Sequence, residues 1–200
     1  MHTWITLSRT AVDHNKRVLR ELLGEAELGC VVKNNAYGHG LLEWVSLLLS
    51  NDDDPYLFTA GTHEAVSIKK AFSNARVCAL SYIDTPIAWC IHYDIACLVY
   101  TQRMIDRLQA IAKQYNAILT VHLKVDTGMH RLGIAIEDAP WFIRYIYRCS
   151  HLYLEGIGTH LLDLGMEEPV NAYQQIARFQ GLYAQYKDWV RYWHACSSGA

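Results

Sequence analysis

The chain contains 200 residues, of which 52% are hydrophobic and 19% are charged, and its formal net charge at pH 7 is -2. This length and composition are typical of a globular protein that buries an α/β core. The small charge gives no electrostatic reason to predict nucleic acid or an anionic membrane as a partner. No apolar stretch predicts a membrane span or a secretory signal, since Leu41–Leu49 is short and is interrupted by Glu43.

The cysteines give no sign of a disulfide framework or a metal site. They are scattered without a C-x-x-C pair, at Cys30, Cys78, Cys90, Cys97, Cys149 and Cys196. Most stand inside apolar runs, where a thiol packs as a small hydrophobic group. We therefore expect no bound metal, and we predict a reducing, cytoplasmic location.

Helical patterns and short apolar runs alternate along the chain. The predicted helices are Arg9–Leu23, Leu41–Leu49, Thr62–Phe72, Gln102–Tyr115, Ala139–Arg148 and Val170–Trp189. The predicted strands are Leu28–Lys33, Tyr56–Ala60, Arg76–Ser81, Ile95–Tyr100, Ile118–Val125, Leu154–His160 and Arg191–Ser197. Continuous apolar strands separated by helices are typical of a parallel sheet, so the pattern predicts an α/β architecture.

Two parallel architectures agree with this order of elements, a doubly wound open sheet and a (β/α)8 barrel. No G-x-G-x-x-G motif follows the first predicted strand, which weakens the case for a nucleotide-binding open sheet. In a barrel, functional side chains gather at the carboxyl ends of the strands. A barrel therefore predicts that unusual polar residues stand at those ends.

Four polar residues stand at or just after the ends of four separate predicted strands: Lys33, Arg131, His160 and Ser198. Each alone has an ordinary explanation, as a solvated strand end, a surface arginine, a core histidine or a turn serine. Together they offer an amine able to form a Schiff base, a guanidinium for an anionic oxygen, an imidazole and a hydroxyl for a phosphate.

The sequence motifs around these residues resemble those of the alanine racemases. The stretch "VVKNNAYGHG" resembles that family's pyridoxal phosphate lysine motif, whose usual form is V-V-K-A-N-A-Y-G-H-G, and "HLKVDTGMHRLG" is similar to its second signature. "GIGTHL" and "HACSSGA" match two further motifs in the same order. The resemblance implies one cofactor-binding domain over residues 1–200, an incomplete (β/α)8 barrel of the TIM type with about seven of its eight strands.

The resemblance also implies roles for individual residues. Lys33 would form the internal aldimine with pyridoxal 5′-phosphate and act as the base on one face of the substrate α-carbon. Tyr37 and Ser198 would bond the phosphate. Arg131 would bond the phenolic oxygen of the cofactor and hold the substrate carboxylate, and His160 would lie against the pyridine ring.

A few positions add to or depart from the family pattern. Lys124 matches a lysine that is carbamylated in some members. Asn34 stands where the family has alanine, and His130 stands where it has glycine, a position at which we expect positive φ. Ser197 and Gly199 replace a common asparagine and a common alanine.

The implied activity is the interconversion of L-alanine and D-alanine by a homodimer. The family's second base, a tyrosine, belongs to a C-terminal β domain, and a further arginine belongs to the eighth strand. We therefore expect these 200 residues to supply half of the site and to be inactive alone. The alternatives are a non-catalytic pyridoxal phosphate binding protein of cofactor homeostasis and a degenerate, inactive fragment.

Overall fold

The computed structural model describes residues 3–49, 54–162, 164 and 167–195. The chain divides into two compact units, Met1–Ile95 and Ala96–Ala200. None of the described helices combines the length and the apolar character needed to cross a membrane. The five described cysteines are thiols, and Cys196 lies outside the described residues.

In the part of the first unit that the structure describes, there are three strands and five helical segments. In chain order they are α1 (Arg9–Leu23), β1 (Gly29–Val31), α2 (Lys33–Tyr37), α3 (Leu41–Leu48), β2 (Tyr56–Gly61), α4 (Thr62–Ala71), β3 (Val77–Tyr82) and α5 (Ile87–His92). Helix α1 begins where the hydroxyl of Ser8 accepts a hydrogen bond from the backbone N–H of Ala11, which satisfies one of the unpaired donors of a helix start.

The three strands of this unit run parallel in the order β1–β2–β3. Cys30 pairs with Leu57 and Phe58 pairs with Cys78. Every residue of β2 is buried, as expected for the middle strand of a covered parallel sheet. Strand β1 is only partly buried, and Val31 is 41% exposed. Since all three strands point the same way, their carboxyl ends share one edge of the sheet.

The second unit contains five strands and three α-helices within the described residues. They are β4 (Ala96–Val99), α6 (Gln102–Gln114), β5 (Leu119–Asp126), β6 (Ile134–Ala135), a 3-10 turn (Ile136–Asp138), α7 (Ala139–Tyr147), β7 (Leu152–Gly158), α8 (Val170–Tyr186) and β8 (Tyr192–His194). Strands β4, β5, β7 and β8 pair in parallel in that order, and the short β6 pairs with the end of β5.

The seven predicted strands are all present, with shifted ends. Three predicted strands end at least two residues too late: β1 stops at Val31, so that Lys33 opens α2; β7 stops at Gly158, two residues before His160; and β8 stops at His194, whereas the prediction ran to Ser197. Helices α2 and α5 and strand β6 were not predicted. The six residues of α5 are too few to show a helical period, and two residues are too few to show a strand pattern.

Candidate active site

The residues after β1 form a left-handed turn that carries Lys33. The φ angles of Asn34, Asn35, Ala36 and Tyr37 lie between 51° and 56°, which is the left-handed region. For residues other than glycine this conformation costs roughly 1–2 kcal/mol each, least for asparagine. The turn closes by a hydrogen bond of 3.1 Å from the Gly38 N–H to the Asn34 carbonyl. Four such residues in a row store several kcal/mol of strain, and strain of this kind concentrates at functional sites.

Two side-chain contacts hold the turn in place. The Glu64 carboxylate on α4 accepts from the backbone N–H of Asn35 at 2.9 Å and from that of Ala60 at 3.2 Å. The Asn35 side-chain oxygen accepts from the Leu41 N–H at 2.8 Å, at the start of α3. The turn is thus tied to both β2 and α3, which fixes the backbone of the half-buried Lys33.

Helix α4 is itself fixed at its first turn. The Asp84 carboxylate accepts from the Thr62 hydroxyl at 2.9 Å and from the His63 N–H at 2.8 Å, and the Thr62 hydroxyl lies 2.7 Å from that of Thr85. Partial burial raises the pKa of Asp84, but these donated hydrogen bonds outweigh it and hold the pKa below its ordinary value. The start of α4 cannot shift without breaking this network, so Glu64 is held at the lysine turn.

In the second unit, Asp126 organises the loop that carries Arg131. One oxygen of Asp126 accepts from the backbone N–H groups of Gly128, Met129 and His130 at 2.8–3.1 Å. Partial burial raises the pKa of Asp126, and the three N–H donors outweigh that effect and hold the pKa below its ordinary value. His130 has φ 53°, so the expected positive φ at this position is confirmed. The side chain of Arg131 is exposed.

The pKa of the Lys124 amine departs strongly from its ordinary value. Lys124 lies near the carboxyl end of β5, and its Nζ donates to the Val125 carbonyl at 3.0 Å. Burial lowers the pKa of its amine from 10.5 to about 8; Asp126 acts in the opposite direction and Arg131 adds to the lowering. About half of this amine is therefore uncharged at pH 8 and about a tenth at pH 7, far more than for a lysine with the ordinary pKa.

The segment that follows β7 is held by helix α8. Gln175 is 2% exposed; its amide donates to the His160 carbonyl at 3.0 Å and to the Thr127 hydroxyl at 3.2 Å. The Thr127 hydroxyl also lies 2.8 Å from that of Thr159. These contacts join the loop after β5 to the half-buried His160, so the two loops that carry Arg131 and His160 share one anchor.

The structure places the predicted site residues as follows. Lys33 and Tyr37 lie together in the left-handed turn, with the Lys33 Nζ 5.9 Å from the centre of the Tyr37 ring. Lys124 lies close enough to Arg131 for the guanidinium to affect its pKa. His160 lies two residues past the end of β7. Ser198 lies outside the described residues.

Sequence reasoning missed the residues that position the site. Glu64 and Gln175 are ordinary helix residues in the sequence, and only the fold brings them to the lysine turn and to His160. Asn35 gave a weak signal, because consecutive asparagines favour left-handed backbone. Nothing in the sequence indicated the hydrogen bond between His122 on β5 and Glu155 on β7.

Comparisons with known proteins identify the family to which the chain belongs. The family model "Alanine racemase, N-terminal domain" matches residues 7–200. The chain belongs to the alanine racemase N-terminal domain family. Among curated members, it is 29% identical over 184 residues to alanine racemase 1 of Clostridium acetobutylicum, over 90% of this chain and 47% of that protein. It is 34% identical over 169 residues to the alanine racemase of Mycolicibacterium smegmatis, over 82% of this chain and 43% of that protein.

Solved alanine racemases share the fold of this family member. An alanine racemase of Clostridium difficile 630 in complex with cycloserine matches 94% of this chain with a TM-score of 0.85 and 26% identity, over 53% of that protein. The alanine racemase of Streptomyces lavendulae matches 96% of this chain with a TM-score of 0.87 and 25% identity. These matches confirm the predicted (β/α)8 barrel class. The chain spans about half the length of the curated relatives it matches.

Proposed function

We propose that these 200 residues supply the cofactor-carrying part of an alanine racemase that converts L-alanine to D-alanine and back. The observation that carries the proposal is the strained left-handed turn around Lys33, anchored by Glu64 and by the start of α3. A solvated strand-end lysine has no need of such a turn. Such a turn is expected where the amine of a lysine must be held at one place and in one direction.

The chemistry of the residues fits pyridoxal 5′-phosphate. The turn brings a primary amine, on Lys33, beside a phenol, on Tyr37. The second unit holds a guanidinium, on Arg131, on a loop fixed by Asp126. An amine that binds an aldehyde, a hydroxyl for a phosphate and a cation for a phenolate are the groups that this cofactor requires. When bound, it delocalises the negative charge left on the substrate α-carbon after the α-proton departs.

We assign the residue roles on this basis. Lys33 holds the cofactor, and its Nζ takes the α-proton from one face of the substrate. Tyr37 and Ser198 bind the phosphate. Arg131 binds the phenolic oxygen and orients the substrate carboxylate, and His160 packs against the cofactor ring.

Lys124 has a separate role, as the lysine that is modified by carbon dioxide. Carbamylation requires an uncharged amine, and burial lowers the pKa of Lys124 to about 8. The resulting carbamate anion would lie beside the Arg131 guanidinium and accept hydrogen bonds from it. Its charge would hold Arg131 in position to contact the phenolic oxygen.

The proposal includes the whole-protein properties of the family. Both units serve as one barrel domain, the protein acts as a cytoplasmic homodimer, and the product supplies D-alanine for peptidoglycan precursors. Racemisation needs a proton removed on one face of the α-carbon and returned on the other. Since the family places the second base beyond the part matched here, we expect the 200 residues alone to be slower by roughly 10²–10⁴-fold or more.

Fusing this chain to the C-terminal part of the Clostridium acetobutylicum relative tests the proposal. Exchange of the α-proton of L-alanine and of D-alanine in deuterated water is followed by proton NMR, with pyridoxal phosphate added. We expect exchange from both enantiomers in the fusion and none in its Lys33→Ala variant. Borohydride reduction of the unfused chain with the cofactor gives an independent readout, a pyridoxyl group on Lys33.

The alternatives predict different results in the same two measurements. Labelling of Lys33 without exchange in a folded fusion favours a non-catalytic binding protein. Absence of both labelling and exchange in a chain that folds favours a degenerate fragment. Labelling of another lysine, with Lys33 unmodified, would show that the assignment of the motif is wrong.

A further inference from the structure

One buried glutamine on α8 contacts the segments that follow two neighbouring strands. Gln175 is 2% exposed, and its carboxamide takes part in three hydrogen bonds. Its Nε2 donates to the Thr127 hydroxyl at 3.2 Å and to the His160 carbonyl at 3.0 Å. Its Oε1 accepts from the Leu162 N–H at 2.8 Å. Thr127 is the first residue after β5, whereas His160 and Leu162 follow β7, so Gln175 joins two segments that β6 and α7 separate in the sequence.

The two segments and α8 also contact one another around Gln175. The hydroxyls of Thr127 and Thr159, both buried, lie 2.8 Å apart. Arg178, about one turn beyond Gln175, donates to the Thr127 carbonyl at 3.0 Å. A Cβ at Gly128 would lie 3.3 Å from Gln175 Cγ, so the backbone of the first segment packs directly on the stem of the glutamine. Neither segment can shift relative to α8 without breaking several of these contacts.

A carboxamide is the group that this junction requires. It combines two N–H protons, which it donates, with an oxygen that accepts. Both protons are used on acceptors, the Thr127 hydroxyl and the His160 carbonyl, while the oxygen faces the Leu162 N–H. A glutamate could only accept at these positions, and a methionine would make no hydrogen bond. Since a buried polar group that loses its partner costs free energy, the three partners together favour glutamine at this position.

We propose that Gln175 is a positioning residue, which holds the loop that carries Arg131 and the segment that carries His160 at one fixed separation. This role rests on the proposed function, in which both side chains contact the same cofactor. On the first segment, Asp126 extends the constraint toward Arg131, because it accepts the three backbone N–H groups that precede that residue. On the second segment, the residue that carries the imidazole is itself bonded to Gln175 through its carbonyl.

A fixed separation matters because the two groups would contact one rigid ring system. In the proposed site the Arg131 guanidinium meets the phenolic oxygen, and the His160 imidazole packs on the pyridine ring. These two places on the cofactor are a constant distance apart, so a movement of one segment alone breaks one contact. Misplacement by about 1 Å can cost roughly 100-fold in rate. Gln175 acts on both groups through the backbone and needs no contact with the cofactor.

Hydrogen exchange of single backbone N–H groups, followed by NMR on the 200-residue chain without cofactor, tests whether the segments are coupled. Gln175→Met keeps the length of the side chain and removes its hydrogen bonds. The informative group is the Met129 N–H, which donates to Asp126 and not to Gln175. We expect its exchange to be roughly fivefold faster in Gln175→Met, the factor that corresponds to one neutral hydrogen bond. The exposed neighbour Gln174 provides the matched control, since Gln174→Met should leave this rate unchanged.

Thr127→Val tests the coupling in the other direction. The valine keeps the shape of the threonine and removes the hydroxyl that accepts from Gln175. We expect faster exchange at the Leu162 N–H, which donates to Gln175 and not to Thr127. In the Gln175→Met background the same substitution should have no further effect on Leu162. This comparison separates the route through Gln175 from the direct contact between Thr127 and Thr159.

Two results overturn the coupling. One is faster exchange at Leu162 alone in Gln175→Met, which would make the glutamine a local acceptor for that N–H. The other is an equal effect of Thr127→Val with and without Gln175. The Leu119 N–H on β5, which donates to the His151 carbonyl at 3.0 Å, is the internal control, and its unchanged rate shows that a variant is folded.

Reductive labelling of Lys33 then tests the positioning role. The pyridoxal phosphate concentration that gives half-maximal labelling should rise at least roughly fivefold in Gln175→Met and stay constant in Gln174→Met. Arg131→Ala should raise this concentration by a smaller factor in Gln175→Met than in wild type, because Arg131 has already lost its position. Equal factors in the two backgrounds would make Gln175 a structural residue only and would overturn the role.

The positioning role and the proposed function fail separately. Coupled exchange in a wild-type chain that does not label at Lys33 would keep the coupling of the two segments and remove the cofactor site. Labelling of Lys33 in a chain whose segments exchange independently would keep the cofactor site and remove the role of Gln175.

Discussion

Replacing Lys124 by methionine is expected to change the free energy of unfolding in a way that reverses sign with pH. The methionine is an unbranched side chain one atom shorter than lysine, and it removes the charge. Burial lowers the pKa of Lys124 from 10.5 to about 8 in the folded chain. Below pH 8 the folded protein must keep a partly buried ammonium, which costs about 3 kcal/mol at 1.36 kcal/mol per pKa unit.

The sign follows from proton binding. Between pH 8 and 10.5 the unfolded chain holds a proton on Lys124 that the folded chain has lost, so wild-type stability rises with pH through this window. The methionine variant does not have this dependence. It loses the hydrogen bond to the Val125 carbonyl, about 1 kcal/mol. We therefore expect Lys124→Met to be more stable than wild type by roughly 2 kcal/mol at pH 7 and slightly less stable near pH 10.5.

Urea unfolding in buffers freed of carbon dioxide, at several pH values between 7 and 10.5, measures this difference. The exposed Lys113→Met variant is the control and should show no change of sign. Bicarbonate should stabilise wild type and leave Lys124→Met unaffected, because a ligand that binds only the folded state raises its stability. A difference between wild type and Lys124→Met that stays constant with pH would refute the reasoning.

Three further predictions concern the lysine turn and β7. Asn35→Ala should lower the free energy of unfolding by roughly 2 kcal/mol, about half from the lost hydrogen bond to Leu41 and half from left-handed strain. Asn35→Gly loses the hydrogen bond but not the tolerance of left-handed backbone, so it should cost only about 1 kcal/mol. Urea midpoints of the two variants measure both effects. Borohydride reduction with pyridoxal phosphate should label Lys33, and mass spectrometry of peptides that finds the label elsewhere in a folded chain would contradict the assignment. Gly158→Ala should lower the melting temperature, since its Cβ would meet the ring of His194. The control is Gly181→Ala, whose Cβ lies in open space within α8, and this variant should raise the melting temperature by about 2–4 °C. A rise in both glycine variants would show that the ring does not lie against β7.

The sequence was sufficient to predict most of the fold. Buried strands such as β2 and β4 are continuous apolar runs between turn residues, which is the pattern that predicts strands of a covered parallel sheet. The same rule misplaced the ends of β1 and β7. At Val32 the backbone leaves the sheet to enter the lysine turn, and at Thr159 it leaves the sheet to enter a loop. The residue pattern does not change at either point, so it does not mark where the strands end.

The parts of the site that could not be predicted depend on contacts between distant segments. The family motif indicated Lys33, but the motif gives no reason for Glu64, which lies 29 residues from its partner Asn35. The Glu155–His122 pair is separated by 33 residues and depends on a shift in register that the sequence does not show. Local patterns predict elements, whereas such contacts depend on how the elements are placed.

The lysine turn and the loop that carries Arg131 are stabilised in the same way, but to different extents. In each, a carboxylate accepts backbone N–H groups of a segment with positive φ. Asp126 takes three such donors around the single strained residue His130, and at roughly 1.5–3 kcal/mol for each charged hydrogen bond they outweigh its strain. Glu64 takes one donor from the lysine turn, in which four residues are strained, so that bond does not offset the whole cost. The asparagine at position 34 reduces this deficit, since asparagine tolerates left-handed backbone. The bond of Asn35 to the start of α3 and the backbone hydrogen bonds of the turn offset part of the remaining cost, so we expect Asn35 to affect how firmly the backbone of Lys33 is held.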